Sequence, residues 1–205
     1  MTELNKKWEN FLKSNGVDLV FFVDTASLPQ SAVEDYTCAV FFGKALSKEY
    51  IISLRAGEKP KPHEVHTIEG KMNRLEKKLT SHLEAEGYKA ISKFKFPLLP
   101  HKTVALRAGI GFIGKNNLLV SEQYGCALMF GKVLTKAPFA TTSEIPKEPQ
   151  CGDCNICVDV CTSKSLRGKI WDNTTTRDEM MVRNLCNVCA KCMIWCPYTE
   201  KYIKS

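Results

Sequence analysis

A chain of 205 residues is long for one domain and short for two full-sized ones, and its 44% hydrophobic content suffices for a core. The longest apolar run, Leu19 to Val23, cannot span a bilayer, and Met1 to Asn10 has no apolar stretch of the signal-peptide kind. A soluble, cytoplasmic protein with no membrane partner is therefore expected, and its formal charge of +7 leaves an RNA or an anionic cofactor open as partners.

The apolar pattern predicts an amphipathic helix over residues 3–15, with Leu4, Trp8, Phe11 and Leu12 on one face and Gly16 at its end. Strand-like runs follow at Val17 to Val23 and Cys38 to Phe42. Ser47 can cap a short helix through Leu54. Beyond a loop at Pro60 and Pro62, a longer helix aligns Ile68, Met72, Leu75, Leu79 and Leu83 and closes at Gly87. His63, His66 and His82 lie on or near it and read as solvated or capping side chains. Tyr88 to Phe96 reads as extended and Thr103 to Ala108 as a helix. Leu118 to Val120 and Ala127 to Thr135 read as a hairpin turning through Glu122–Gly125. Cys38 and Cys126, each alone in an apolar run, are expected to be buried small hydrophobes.

Residues 108–119 read AGIGFIGKNNLL. Gly109, Gly111 and Gly114 match G-x-G-x-x-G, and Gly109 to Lys115 match G-x-x-x-x-G-K. Both nucleotide motifs need a strand before the loop and a helix after it, because the phosphates sit on that helix's N-terminus. Here a helix precedes and a strand follows, and Asn116 stands where Ser or Thr would hold magnesium. Nucleotide binding is therefore disfavoured. The glycines, with Lys115, Asn116 and Asn117 as donors, remain candidates for the cofactor-binding side of a site; the bland reading is a tight helix-to-strand turn.

Thr141 to Gln150 is turn-rich and marks an expected boundary, with an α/β cofactor domain over 1–145 and a second domain over 146–205. Eight of the ten cysteines lie beyond it in two copies of C-x2-C-x2-C-x3-C: Cys151, Cys154, Cys157, Cys161, and Cys186, Cys189, Cys192, Cys196. This is the bacterial-ferredoxin run for two [4Fe–4S] clusters, in which the fourth cysteine ligates the other cluster. The expected sets are Cys151, Cys154, Cys157 with Cys196, and Cys186, Cys189, Cys192 with Cys161. Structural zinc usually shows paired C-x2-C units without a third cysteine at the same step, and disulfides need an oxidising compartment. Each loaded cluster carries about −2 with its four thiolates, which would bring the whole chain to about +3. The surplus of Lys and Arg lies in the first 145 residues, 20 against 15 acids, versus 9 against 7 in the rest.

AGIGFIGKNNLL, then FGKVLTKAPF (Phe130 to Phe139), then the double cysteine motif resembles the epoxyqueuosine reductase family, relatives of the reductive dehalogenases. GVDLVFFVD, CAVFFGKALSKEYI and EAEGYKAI agree more loosely. The resemblance implies an α+β (α/β) fold, with a nitroreductase-like first domain that holds cobalamin and a two-cluster bacterial-type ferredoxin domain that feeds it electrons. Carried over by position, Gly109, Gly111, Gly114, Lys115, Asn116 and Asn117 lie on the cofactor side. Flavin is the second candidate after cobalamin, and a low-potential ferredoxin or flavodoxin the implied donor. Two departures stand out. The family's catalytic aspartate, a few residues upstream of the glycine loop, has no counterpart: the stretch is Lys93 to His101, and no Asp or Glu occurs between Glu86 and Glu122. His101 is the nearest side chain titrating near neutral pH, with Lys95 a further proton source. The chain also stops at Ser205, without the helical-repeat segment that the family uses against tRNA, so tRNA is an allowed but not favoured partner. The expectation is an iron–sulfur oxidoreductase passing electrons through two clusters to a cofactor or substrate near Gly109–Asn117. Two alternatives stand beside it: a minimal epoxyqueuosine reductase acting on the tRNA queuosine precursor, and a non-enzymatic electron carrier or corrinoid-reducing activator. For want of the acid, little or no conversion of epoxyqueuosine in tRNA is expected.

Overall fold

The structure, a computed structural model, describes residues 1–60, 62–92 and 99–205. The chain opens with helix α1 (Glu3–Ser14), strand β1 (Leu19–Asp24), helix α2 (Gln30–Val33) and strand β2 (Cys38–Ala45). Helices α3 (Lys48–Arg55) and α4 (Glu64–Ala85), strand β3 (Ala90–Ser92) and helix α5 (His101–Arg107) follow. Strands β4 (Gly111–Ile113), β5 (Leu119–Ser121) and β6 (Leu128–Thr135) come next. Short helices finish the chain: α6 (Ile156–Asp159), α7 (Arg177–Met180), α8 (Lys191–Ile194) and α9 (Pro197–Lys204). They build two compact units. One takes Met1–Leu46, Lys61–Gly109 and Leu128–Ile145; the other takes Ser47–Pro60, Ile110–Ala127 and Pro146–Ser205.

In the first unit a four-stranded antiparallel sheet runs in the order β1-β2-β6-β3. β2 lies inside it, and Cys38 to Phe42 are all buried, so its unbroken apolar run reflects a strand covered on both faces. α1 begins at Thr2, whose hydroxyl accepts the Asn5 amide, and buries Trp8 and Leu12. Asn5, also buried, exchanges two 3.0 Å hydrogen bonds with the Ala140 backbone, which satisfies its carboxamide. α4 packs on β6 and β3 through Ile68, Met72, Leu75, Leu79 and Leu83. The same face carries Glu76, fully buried, whose Oε1 accepts the Lys132 amide at 2.9 Å.

The anticipated hairpin of 118–120 with 127–135 does not form. Its turn exists, since Ser121 and Gly125 exchange two 2.9 Å backbone bonds, but the strands then part. β5 folds back on β4, with Gly111 opposite Ser121 and Ile113 opposite Leu119, while β6 joins β2 and β3. Gly111 permits that pairing. A Cβ there would stand 1.9 Å from the Val120 carbonyl oxygen, so only glycine admits the close pairing that captures β5. The architecture is mixed α/β with a small antiparallel sheet.

Candidate metal centre

The second unit contains both cysteine motifs, and each folds alike. A C-x2-C-x2-C loop enters a one-turn helix that holds the third cysteine and ends just before the fourth. That helix is α6 with Cys157 and then Cys161, or α8 with Cys192 and then Cys196. In the second copy Cys189 is flanked by Val188 at φ 55° and Ala190 at φ 61°, both in the left-handed region that L-residues rarely enter. Pro197 opens α9, where its missing N–H costs nothing.

Cys151, Cys154, Cys157 and Cys196 surround one cavity of about 150 Å³, together with Lys115, Asn116 and Tyr198. Three of these cysteines come from the first motif and the fourth from the end of the second. Burial, then the crowding of Cys151, Cys192, Cys196 and Cys154, pushes the Cys157 thiol up to about 12. Burial likewise raises Cys192 to about 11, with Cys189, Cys186 and Cys161 as the neighbouring charges. Each side thus holds thiols whose ionisation opposes that of the others, a conflict that cationic iron relieves. Burial also works against ionising Cys161, but hydrogen bonds from Ser163, Leu166 and Ser165 outweigh it and bring the thiol down to about 7. Cys186 and Cys189 are exposed, whereas Cys157, Cys161 and Cys196 are buried. Among the described residues no three His, Cys, Asp or Glu side chains converge as they would on a single ion. A cubane spreads its four thiolates over separate irons, so a ring of cysteines about a cavity is the arrangement it fits.

Of the loop residues assigned from sequence to a cofactor, Gly114, Lys115 and Asn116 line this cavity. Lys115, Asn116 and Asn117 are all buried. The Lys115 ammonium donates to Gly152 O at 2.8 Å and Asn155 Oδ1 at 3.0 Å, and its backbone amide donates to the Cys151 sulfur. Asn116 Nδ2 donates to the Cys192 carbonyl at 3.1 Å and to Cys126 Sγ at 3.2 Å. Asn117, at φ 57°, turns its amide to Met181 Sδ at 3.3 Å. Gly114 is on the cavity wall, Gly111 is in β4, and Gly109 belongs to the first unit beside Glu144.

Two residues were not singled out by the sequence for what they do. Cys126 is buried as expected, and its sulfur accepts Asn116 Nδ2 at 3.2 Å. The neighbouring Cys196 thiol, ahead of burial, raises the Cys126 thiol well above its usual range, and Cys126 in turn brings Cys196 down to about 7. In the first unit, buried Glu76 stands 3.8 Å from His101, Oε1 to Nε2. A lone acid within an apolar stripe was the available signal for Glu76; nothing in a CALMF run marks Cys126. Lys93 to Leu98, including Lys95, lie outside the described residues. His63 occupies the N-cap position of α4, His66 lies 4.0 Å from Glu69, and His82 packs on Trp8 and Phe11.

No family model matches the chain. Curated relatives do. An epoxyqueuosine reductase from Lactococcus garvieae is 34% identical over 111 residues, covering 47% of this chain and 31% of that protein. One from Listeria monocytogenes is 36% identical over 111 residues, covering 47% and 29%. The match thus spans under a third of the length of either of these two relatives. The crystal structure of an epoxyqueuosine reductase with an epoxyqueuosine-modified tRNA stem loop superposes with a TM-score of 0.64, at 18% identity, over 97% of this chain and 66% of that one. The fold is that of the epoxyqueuosine reductase structures. By sequence as well, this chain is a homologue of the epoxyqueuosine reductases. No described helix is long and apolar enough to cross a membrane.

Proposed function

We propose that this chain is an iron–sulfur oxidoreductase of the epoxyqueuosine reductase type. In this reading Cys151, Cys154, Cys157 and Cys196 hold one [4Fe–4S] cluster, and Cys161, Cys186, Cys189 and Cys192 hold the other. The observation that carries it is the single cavity rimmed by three cysteines of one motif and the last of the other, the crossed ligation that a two-cluster ferredoxin uses. The ferredoxin-like domain of 146–205 then includes in its packing the 110–127 segment, whose Lys115 and Asn116 brace the cysteine loops. The nitroreductase-like character of 1–145 belongs to the same reading. Bound clusters supply one-electron transfer. The protein's own part is to exclude water from Cys157 and Cys196, and to offer Cys186 and Cys189 at the surface, where a low-potential donor of the ferredoxin or flavodoxin type can approach.

Of the alternatives, reduction of epoxyqueuosine in tRNA has the better support, because relatives found by sequence and by fold carry that name. Cobalamin remains the first candidate for the acceptor beyond the clusters and flavin the second. The ammonium of Lys115 and the amide of Asn116 are engaged with the cysteine unit, so no step is derived through either cofactor. Opening an epoxide requires a proton, and no carboxylate lies between Glu86 and Glu122. We assign that role to His101, whose Nε2 lies 3.8 Å from Glu76 Oε1. The test is turnover of epoxyqueuosine-containing tRNA by anaerobically reconstituted protein under a low-potential reductant. Iron and sulfide are first assayed at about eight each per chain, four per cubane. Conversion is expected, and His101→Gln should slow it by roughly 10²-fold, the lower end for a general acid. Zinc without sulfide overturns the cluster assignment, and fully loaded protein with no conversion overturns the substrate.

A further inference from the structure

The two cysteine loops of the second unit present themselves differently to solvent. In the first, Cys151 and Cys154 are half-buried, Cys157 and Cys161 are buried, and Lys115 reaches across to Gly152 and Asn155. In the second, every residue from Arg183 to Cys189 is exposed, Cys186 and Cys189 included. Val188 is 83% exposed while at φ 55°, so this valine gains neither burial nor a relaxed backbone. Leu185 is exposed beside it, and Lys191 and Trp195, one turn apart at the two ends of α8, are exposed as well. Charge divides the loops in the same way. Residues 183–195 carry Arg183 and Lys191 and no acid, whereas 151–161 carry Asp153 and Asp159 and no base. Among the described residues neither Arg183 nor Lys191 is in an ion pair. Arg55 lies over the Trp195 ring, but Glu200 meets its charge.

We propose that Arg183–Cys189, with Lys191 and Trp195, is the docking face for an acidic protein that carries a one-electron redox group near its own surface. The proposal rests on the cluster reading above and deepens it: electrons enter at the cluster of Cys161, Cys186, Cys189 and Cys192. The reduced donor gives up one electron and the cluster gains it, with no bond formed and no proton moved. A negative donor surface is drawn to Arg183 and Lys191 and repelled by Asp153 and Asp159, which decides the cluster it meets. Each bound cluster adds about −2 to its own loop, so the difference between the loops persists on loading. Leu185, Val188 and Trp195 add a small apolar contact. That suits a partner that must leave after each electron, since such encounters bury less than about 1,200 Å² in total. Cys186 and Cys189 lie within the face, so the donor meets the ligands directly.

The experiment takes anaerobically loaded protein and an acidic flavodoxin as the probe, comparing wild type with the double variant Arg183→Glu/Lys191→Glu and with Val188→Asp. Calorimetry reads the affinity for oxidised flavodoxin, and stopped-flow absorbance reads the rate of cluster reduction by reduced flavodoxin, each at low and high salt. The double variant should bind roughly tenfold more weakly and be reduced more slowly by a similar factor at low salt. The wild-type advantage should fade as salt rises. Reduction by photoreduced deazaflavin, a small molecule that needs no docking face, should proceed at the wild-type rate in both variants. Val188→Asp leaves both cations in place and should also weaken binding. Wild type that neither binds flavodoxin nor accepts its electrons overturns the proposal, as do unchanged affinity and rate in the double variant. Should the double variant fail to load, Val188→Asp decides: weakened binding supports the face, and wild-type affinity overturns it. Self-association of wild type in sedimentation, abolished in the double variant, assigns the face to a second copy and overturns the acidic donor. Wild type that holds no iron and sulfide defeats the cluster reading itself, before flavodoxin is added.

Discussion

The two units are stabilised by different means. The sheet unit buries Trp8, Phe41, Phe42, Leu79, Leu83 and Leu134 almost completely, with a 22-residue helix across its sheet. Burial of each such side chain contributes about 1.5–3 kcal/mol, and the strands are paired along their lengths. Around the cysteine motifs of the second unit, one core cluster is Cys157, Cys161, Leu166 and Met181, with Val158 and Cys192 against it, and Met180, Met193 and Ile194 are buried as well. Helices α6, α7 and α8 are four residues each, far below the length at which a helix persists by itself. Two of that cluster's four residues are thiols. One unit thus holds itself together by apolar packing, while the motif region of the other has a small core to which the proposed clusters would add.

Removing the iron should separate the two most sharply. Treatment of loaded protein with a chelator under reducing conditions is expected to release the amides of 151–196 to fast hydrogen exchange, while those of β2 and β6 stay protected. Metal-binding free energy is folding free energy where no preformed site survives without the metal. Retained protection across 151–196 in the iron-free protein would show that the motif region folds without its clusters and would abolish the contrast.

A narrower loss tests how the motifs are joined. Cys196→Ala is expected to cost about half the iron, by loss of the cluster of Cys151, Cys154 and Cys157, because Cys196 lines that cavity and lies far along the chain from its partners. Mössbauer or resonance spectra should retain the cluster of Cys186, Cys189 and Cys192. Selective loss of that cluster instead would reverse the ligand sets.

Much of this contrast was legible in the sequence, and what escaped it did so for physical reasons. Amphipathic stripes at helical spacing found α1 and α4, and Ser47 announced α3, since its hydroxyl accepts the Tyr50 amide at 3.2 Å. Cysteine spacing named the four residues that meet at the cavity. The partner of a strand, by contrast, is set by backbone approach elsewhere in the chain. β5 pairs with β4, across a Gly111–Val120 approach that only glycine admits, and a convincing hairpin pattern is left unrealised. Likewise the glycine–lysine–asparagine loop read as a ligand-binding surface, yet its ammonium and the Asn116 amide are turned onto Gly152, Asn155 and Cys192. Donor-rich sequence tells that hydrogen bonds will be made, but not with whom.

The smallest change concerns the sheet unit alone. Leu79 is fully buried on the α4 face that packs on β6 and β3. Leu79→Ala removes atoms from a site whose neighbours are held by a long helix and a paired sheet, so the space cannot collapse. A loss of about 2–5 kcal/mol in the sheet unit's unfolding free energy follows from the lost transfer term and the residual cavity. Iron and sulfide content should stay at the wild-type level, because every proposed ligand lies in the other unit. Denaturant unfolding monitored by tryptophan fluorescence reads the first quantity through buried Trp8, and metal analysis reads the second. If Leu79→Ala also stripped the clusters, the two units would be one cooperative structure, and the separation of apolar packing from ligand-borne stability would fail.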